Sequence, residues 1–116
     1  MFALIPLIAV VATLNVTYVD TGKTFTLPTQ TAIVVTLPSC GSCGYHWQLK
    51  PLDRSVLRRV SHRYIAPKGH GVGGTGKEIW TFRTVGAGTS PLQLAYVPPG
   101  RHTKPVRTFI LKINVS

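Results

Sequence analysis

Apolar and polar residues alternate in short runs along most of this chain, and turn-forming residues interrupt the runs at regular intervals. Leu14-Asn15-Val16-Thr17-Tyr18-Val19 is one such run, Tyr45-His46-Trp47-Gln48-Leu49 another, and Glu78-Ile79-Trp80-Thr81-Phe82-Arg83-Thr84-Val85 a third. A period of two sends successive side chains to opposite faces of a strand, so each run can bury one face and solvate the other. No window of eleven or more residues carries the three-four apolar period of an amphipathic helix. The runs predict strands over residues 14–19, 24–27, 30–37, 45–49, 56–65, 78–85, 92–97 and 106–115. Short strands at this spacing predict an all-β chain, an immunoglobulin-like antiparallel β-sandwich of seven or eight strands. The stretch from Val56 to Ile65 is less regular. Arg58 and Arg59 mark it as an edge strand with a bulge, because charge on an edge discourages further strand addition.

Hydrophobic residues make up 44% of the 116, which argues against disorder and supplies a core for one domain over residues 13–116. Residues 1–12 carry no charged side chain and are too few to span a bilayer as a helix. They read as the apolar part of a secretory signal, with Val10 and Ala12 before a cut, or as an apolar N-terminal strand. The export reading gives a secreted or periplasmic protein, in a compartment where Cys40 and Cys43 can oxidise.

Thirteen Lys and Arg face only Asp20, Asp53 and Glu78, a formal net charge of +10. Such a charge either favours an acidic partner or simply keeps a small protein soluble. The basic residues are scattered, and no run of them resembles a nucleic-acid arm, so no specific nucleic-acid partner is expected.

Both cysteines fall in Ser39-Cys40-Gly41-Ser42-Cys43-Gly44-Tyr45-His46-Trp47, a Gly-punctuated segment between two strands. Several chemistries compete for it. A Cys40–Cys43 disulfide would staple the tip, contributing about 2 kcal/mol by chain entropy and, more usefully, a rigid shape. A redox centre would need a helix N-terminus or a nearby cation to lower a thiol pKa; no helix follows Cys43, and the βαβ setting of a thioredoxin motif is missing. Zinc could take Cys40, Cys43 and His46, with His70 from elsewhere, but a second regularly spaced ligand pair is missing and no metal is expected. A Cys43–His46 nucleophile is opposed by strand geometry, which puts i and i+3 on opposite faces. With three carboxylates and none of them paired, the chain does not read as an enzyme, and no cofactor motif appears. Gly71-Val72-Gly73-Gly74 lacks the Gly-Lys-Ser/Thr ending of a phosphate loop and leads into a strand instead of a helix. Trp47, Trp80, Phe82 and Phe109 alternate along strands and are expected in the core.

Three connections are longer than turns: residues 38–44, 67–76 and 98–105. Each pair is separated by an even number of strands, so all three can emerge at one end of a sandwich. At this point the chain resembles the chagasin family, inhibitors of papain-like cysteine peptidases. The first loop of that family reads Asn-Pro-Thr-Thr-Gly, followed by an aromatic, one residue and Trp. Here Cys40-Gly41-Ser42-Cys43-Gly44 fills that place without a gap, followed by Tyr45, His46 and Trp47. The Gly-x-Gly-Gly of the second loop is met by Gly71-Val72-Gly73-Gly74 ahead of Trp80 and Phe82. The third loop follows a strand ending in Tyr, here Tyr96, but Pro98-Pro99-Gly100 replaces the family's Arg-Pro-aromatic, with Arg101 or His102 available instead.

The resemblance implies a reversible protein inhibitor of papain-like cysteine proteases, acting as a monomer and occluding the active-site cleft. It implies protease-binding loops made of Cys40, Gly41, Ser42, Cys43 and Gly44, of Gly71, Val72, Gly73 and Gly74, and of Pro98, Pro99, Gly100 and Arg101. In the family, the first loop blocks the cleft beside the catalytic cysteine, with Gly41 and Ser42 as the corresponding tip here. The alternative is a non-inhibitory immunoglobulin-like binding module for another acidic partner.

Overall fold

The computed structural model describes residues 12–68, 75–100 and 103–116. Among these, eight strands form two four-stranded sheets packed face to face. They are β1 (Thr13–Thr17), β2 (Thr24–Leu27), β3 (Ala32–Ser39), β4 (His46–Leu49), β5 (Leu57–Ile65), β6 (Gly76–Thr84), β7 (Gly88–Val97) and β8 (Arg107–Val115). One sheet runs β1-β3-β6-β5 and the other β2-β8-β7-β4. No helix of the described residues is long and apolar enough to cross a membrane. Residues 1–11, most of the signal or N-terminal-strand segment, lie outside the described residues.

The period of two in the sequence is the inward–outward alternation of the sandwich. On β3, Ile33, Val35, Leu37 and Ser39 are buried; on β8, Phe109, Leu111, Ile113 and Val115 are. These two rows meet Trp80 and Phe82 of β6 and Leu92 and Leu94 of β7 in one contiguous core. Trp47 completes it, so all four aromatics expected inside are inside.

Pairing is antiparallel across β3–β6, β5–β6, β4–β7 and β7–β8. It is parallel at one outer pair of each sheet, β1–β3 and β2–β8, where the all-antiparallel expectation does not hold. The cause is topological. The chain leaves β1 in one sheet, crosses to β2 in the other and returns to β3 in the first. A crossover, unlike a hairpin, can bring β3 back alongside β1 in the same direction. One turn of 3-10 helix, Tyr18–Asp20, begins the first crossing. Asp20 closes it by accepting from the Thr17 amide at 2.9 Å and from Lys23 Nζ at 2.7 Å. The Lys23 hydrogen bond, then the Thr17 amide, hold the Asp20 carboxyl below its ordinary pKa.

β5 is an edge strand of its sheet, and its register against β6 shifts between Arg59 and Ser61. The extra residue is Val60, 57% exposed. Both the edge position and the bulge were expected from the sequence. Boundaries moved elsewhere. Ser39 and Gly76 pair as the last and first residues of β3 and β6, so the strands reach further toward the loops than the apolar runs suggested. β7 begins at Gly88, ahead of the strand expected over residues 92–97.

Candidate functional site

Register places the three long connections at one pole. Ser39 pairs with Gly76 and Ile65 with Lys77, which brings the end of β3, the end of β5 and the start of β6 together. In the other sheet His46 pairs with Val97 and Tyr96 with Arg107, bringing the start of β4, the end of β7 and the start of β8 together. The β3–β4, β5–β6 and β7–β8 connections therefore share one end of the sandwich.

Cys40, Gly41, Ser42, Cys43 and Gly44 form the connection between β3 and β4. Gly41–Cys43 is a single turn of 3-10 helix, and Gly44 ends it in the left-handed region at φ 85°. That conformation favours glycine, since a Cβ would crowd the backbone. A Cβ at Gly44 would also lie 3.0 Å from Cβ of Pro99. Cys40 and Cys43 are joined by a disulfide, their Cα atoms 5.2 Å apart, within the normal range for such a bridge. Disulfide bonding leaves neither sulfur free to serve as a zinc-ligating thiolate or a Cys–His nucleophile. His46 instead lies 3.2 Å from the Gln48 side chain. Among the described residues no group of three His, Cys, Asp or Glu side chains could hold a metal ion.

The turn is held from three directions. Its own backbone closes it: the amides of Cys43 and Tyr45 both donate to the Cys40 carbonyl at 3.1 Å. From β7, the Tyr96 hydroxyl accepts the Cys40 amide proton at 2.7 Å. From β5, the Tyr64 ring lies so close to Gly41 that a Cβ there would sit 2.7 Å from it. Below the turn, Tyr45 stacks on Tyr96 at 5.3 Å and Tyr96 meets Trp47 at 4.8 Å. The Trp47 indole N–H donates to the Pro38 carbonyl at 2.9 Å and so ties β4 back to the end of β3.

Beneath this sits a residue that sequence reasoning passed over. Glu78 is 2% exposed. Its Oε2 accepts from the Ser39 hydroxyl at 2.6 Å and from the Trp47 amide at 3.0 Å; its Oε1 is 2.7 Å from His62 Nε2. One carboxyl group on β6 thus joins β3, β4 and β5, and through Trp47 it bridges the two sheets at the base of the loop pole. His62 also stacks on Trp80 with ring centroids 3.8 Å apart. The signal was present in the phase of the alternation: Glu78 shares the face of Trp80 and Phe82, so it points inward.

From the third loop, Pro98 is half-buried while Pro99 and Gly100 are exposed, and Pro99 abuts Gly44. The structure therefore brings the first and third loops into contact. Gly71, Val72, Gly73, Gly74 and Arg101, with His70 and His102, lie outside the described residues. The opposite pole differs in kind. There the β4–β5 connection forms an open groove of about 720 Å³, with Lys50, Arg54, Arg58 and Arg59 over Leu49 and Leu52.

The family model for chagasin family peptidase inhibitors of type I42 matches residues 26–113. No curated protein matches the chain by sequence. Among solved structures, the cysteine protease inhibitor EhICP2 from Entamoeba histolytica superposes with a TM-score of 0.79 at 18% identity, covering 90% of this chain and 96% of that one. Amebosin superposes at 0.68 with 23% identity, over 90% and 98% of the two chains. PbICP-C, solved in complex with falcipain-2, superposes at 0.61 with 14% identity, over 90% and 99%. At these identities the structural likeness establishes a shared fold.

Proposed function

The chain belongs to the chagasin family of peptidase inhibitors, and from that premise we propose that it inhibits papain-like cysteine proteases by pressing its loop pole into the active-site cleft. It acts as an inhibitor and not as an enzyme. The observation that carries the mode of action is the Cys40–Gly44 turn, held between Tyr64 of β5, Tyr96 of β7 and Pro99 of the third loop. A turn fixed before binding loses little conformational entropy on entering a cleft. Gly41 and Ser42 form its exposed tip, and Pro99 and Gly100 flank it. The second loop, with Gly71, Val72, Gly73 and Gly74, would contribute from the β5–β6 side, and Arg101 from the β7–β8 side. The inhibition is reversible, so dilution of the complex releases active protease. The disulfide and the apolar start of the chain support a secreted or periplasmic location.

Titration of activated papain with the protein tests the reading. Activity should fall with one-to-one stoichiometry and recover when the complex is diluted below its dissociation constant. Full papain activity at micromolar inhibitor would overturn it.

A further inference from the structure

The apex of the loop pole carries chemistry that steric occlusion leaves unused. Cys40–Cys43 is the one disulfide among the described residues. It lies in the turn assigned to a cleft whose nucleophile is itself a thiolate. We propose that this bridge is an electrophile toward the target: the protein reacts with a cysteine protease by thiol–disulfide exchange, giving a mixed disulfide between the protease nucleophile and Cys43. The inference rests on the inhibitory reading, since only a wedge seated in the cleft brings the sulfurs together.

Accessibility selects Cys43. It is exposed, whereas Cys40 is half-buried. Exchange requires the attacking thiolate to reach one sulfur in line with the bond that breaks, so access decides which sulfur is attacked. The protease thiolate forms a bond to Cys43 Sγ while the Cys40–Cys43 bond breaks, and the electron pair leaves on Cys40 Sγ. Ser42 Oγ, 3.8 Å from that sulfur, is placed to donate a hydrogen bond to it as negative charge develops. The protease sulfur is oxidised into the mixed disulfide as Cys40 is reduced to thiolate, while Cys43 stays in a disulfide, so no other oxidant enters.

The step is reversible for a structural reason. Cys40 remains tied by its amide to Tyr96 and by its carbonyl to the amides of Cys43 and Tyr45, none of which depends on the S–S bond. The released Cys40 thiolate therefore stays beside Cys43. Its return attack is intramolecular and expels the protease thiolate. Two cysteines standing where the family has Asn and Thr would then add covalent capture to the wedge.

The test mixes the full-length protein with activated papain freed of reductant, precipitates the complex in acid to stop exchange, and alkylates it under denaturing conditions with N-ethylmaleimide. Intact-mass measurement should show a species equal to papain plus inhibitor plus one maleimide, abolished by dithiothreitol. Peptide mapping should join the papain nucleophile to Cys43 and find the maleimide on Cys40. Papain alkylated beforehand, and the Cys40→Ser/Cys43→Ser double variant, should give no such species. Inhibition without the adduct would overturn exchange and leave occlusion standing. Absence of both would overturn the two readings together. An adduct through Cys40 would overturn the assignment of Cys43 as the attacked sulfur.

Discussion

The two poles of the sandwich solve different problems. At the loop pole a buried carboxyl group, a disulfide and a ladder of aromatic rings hold one short turn in a fixed shape. At the other pole four cations line an open groove, and none of them forms an ion pair among the described residues. Arg58 even stands directly opposite Arg83 across the β5–β6 ladder. Rigidity is concentrated where a partner must be met in one geometry. Unneutralised charge is concentrated at the pole where the connection is held by the local hydrogen bonds of Asp53, Ser55 and Ser90. Substitutions should therefore have large effects at the first pole and small ones, of the opposite sign, at the second.

The largest effect is expected at Glu78. Glu78→Ala leaves the Ser39 hydroxyl, the Trp47 amide and His62 without their shared acceptor in a buried site. Loss of one partner from such a network costs about 3 kcal/mol, since the groups left behind stay desolvated. Urea unfolding should show the midpoint lowered by that free energy divided by the slope, with the slope itself unchanged. Glu78→Gln keeps one carbonyl acceptor and should lose roughly half as much. A stability change under 1 kcal/mol for Glu78→Ala would mean that the aromatic ladder alone fixes the loop pole.

Much of this molecule was legible in the sequence, and what was missed shares a cause. The strands, the aromatic core, the edge position of β5 and the presence of a bulge in it follow from alternation and local charge, both properties of neighbouring residues; that the bulge falls at Val60 does not. The parallel pairing of β1 with β3 and of β2 with β8 depends on which sheet each strand joins, and no local pattern encodes that. Glu78 was overlooked because a carboxylate in a strand ordinarily faces water. Its partners come from three other strands, with Ser39 thirty-nine positions away. The loop cluster was legible because counting strands fixes the pole of each connection. The contacts of Tyr64 with Gly41 and of Pro99 with Gly44 required the fold.

A middle-sized effect is expected at Gly44. Gly44→Ala forces an L side chain into the left-handed region and crowds Pro99, at a cost of about 1–2 kcal/mol. The turn can relieve that cost by shifting its exit, which would move the tip away from its bound shape. The inhibition constant against papain should rise roughly tenfold, equivalent to about 1.4 kcal/mol. An unchanged constant would show that the third loop does not position the first.

The smallest effect, and the one most diagnostic of the contrast between poles, is expected at Arg58. Like charges directly opposite across a ladder destabilise, and opposite charges stabilise, by roughly 0.2–1 kcal/mol. Arg58→Glu converts the first situation into the second against Arg83 and gives up only an exposed hydrogen bond to the Arg54 carbonyl, 3.2 Å long. The variant should be more stable by about 0.5 kcal/mol in low salt, and the gain should shrink as added salt screens the pair. Papain inhibition should not change, because the substitution lies at the pole away from the loops. If inhibition instead fell in step with lost charge at position 58, the basic groove would belong to the protease-binding surface, and the division of labour between the poles would fail.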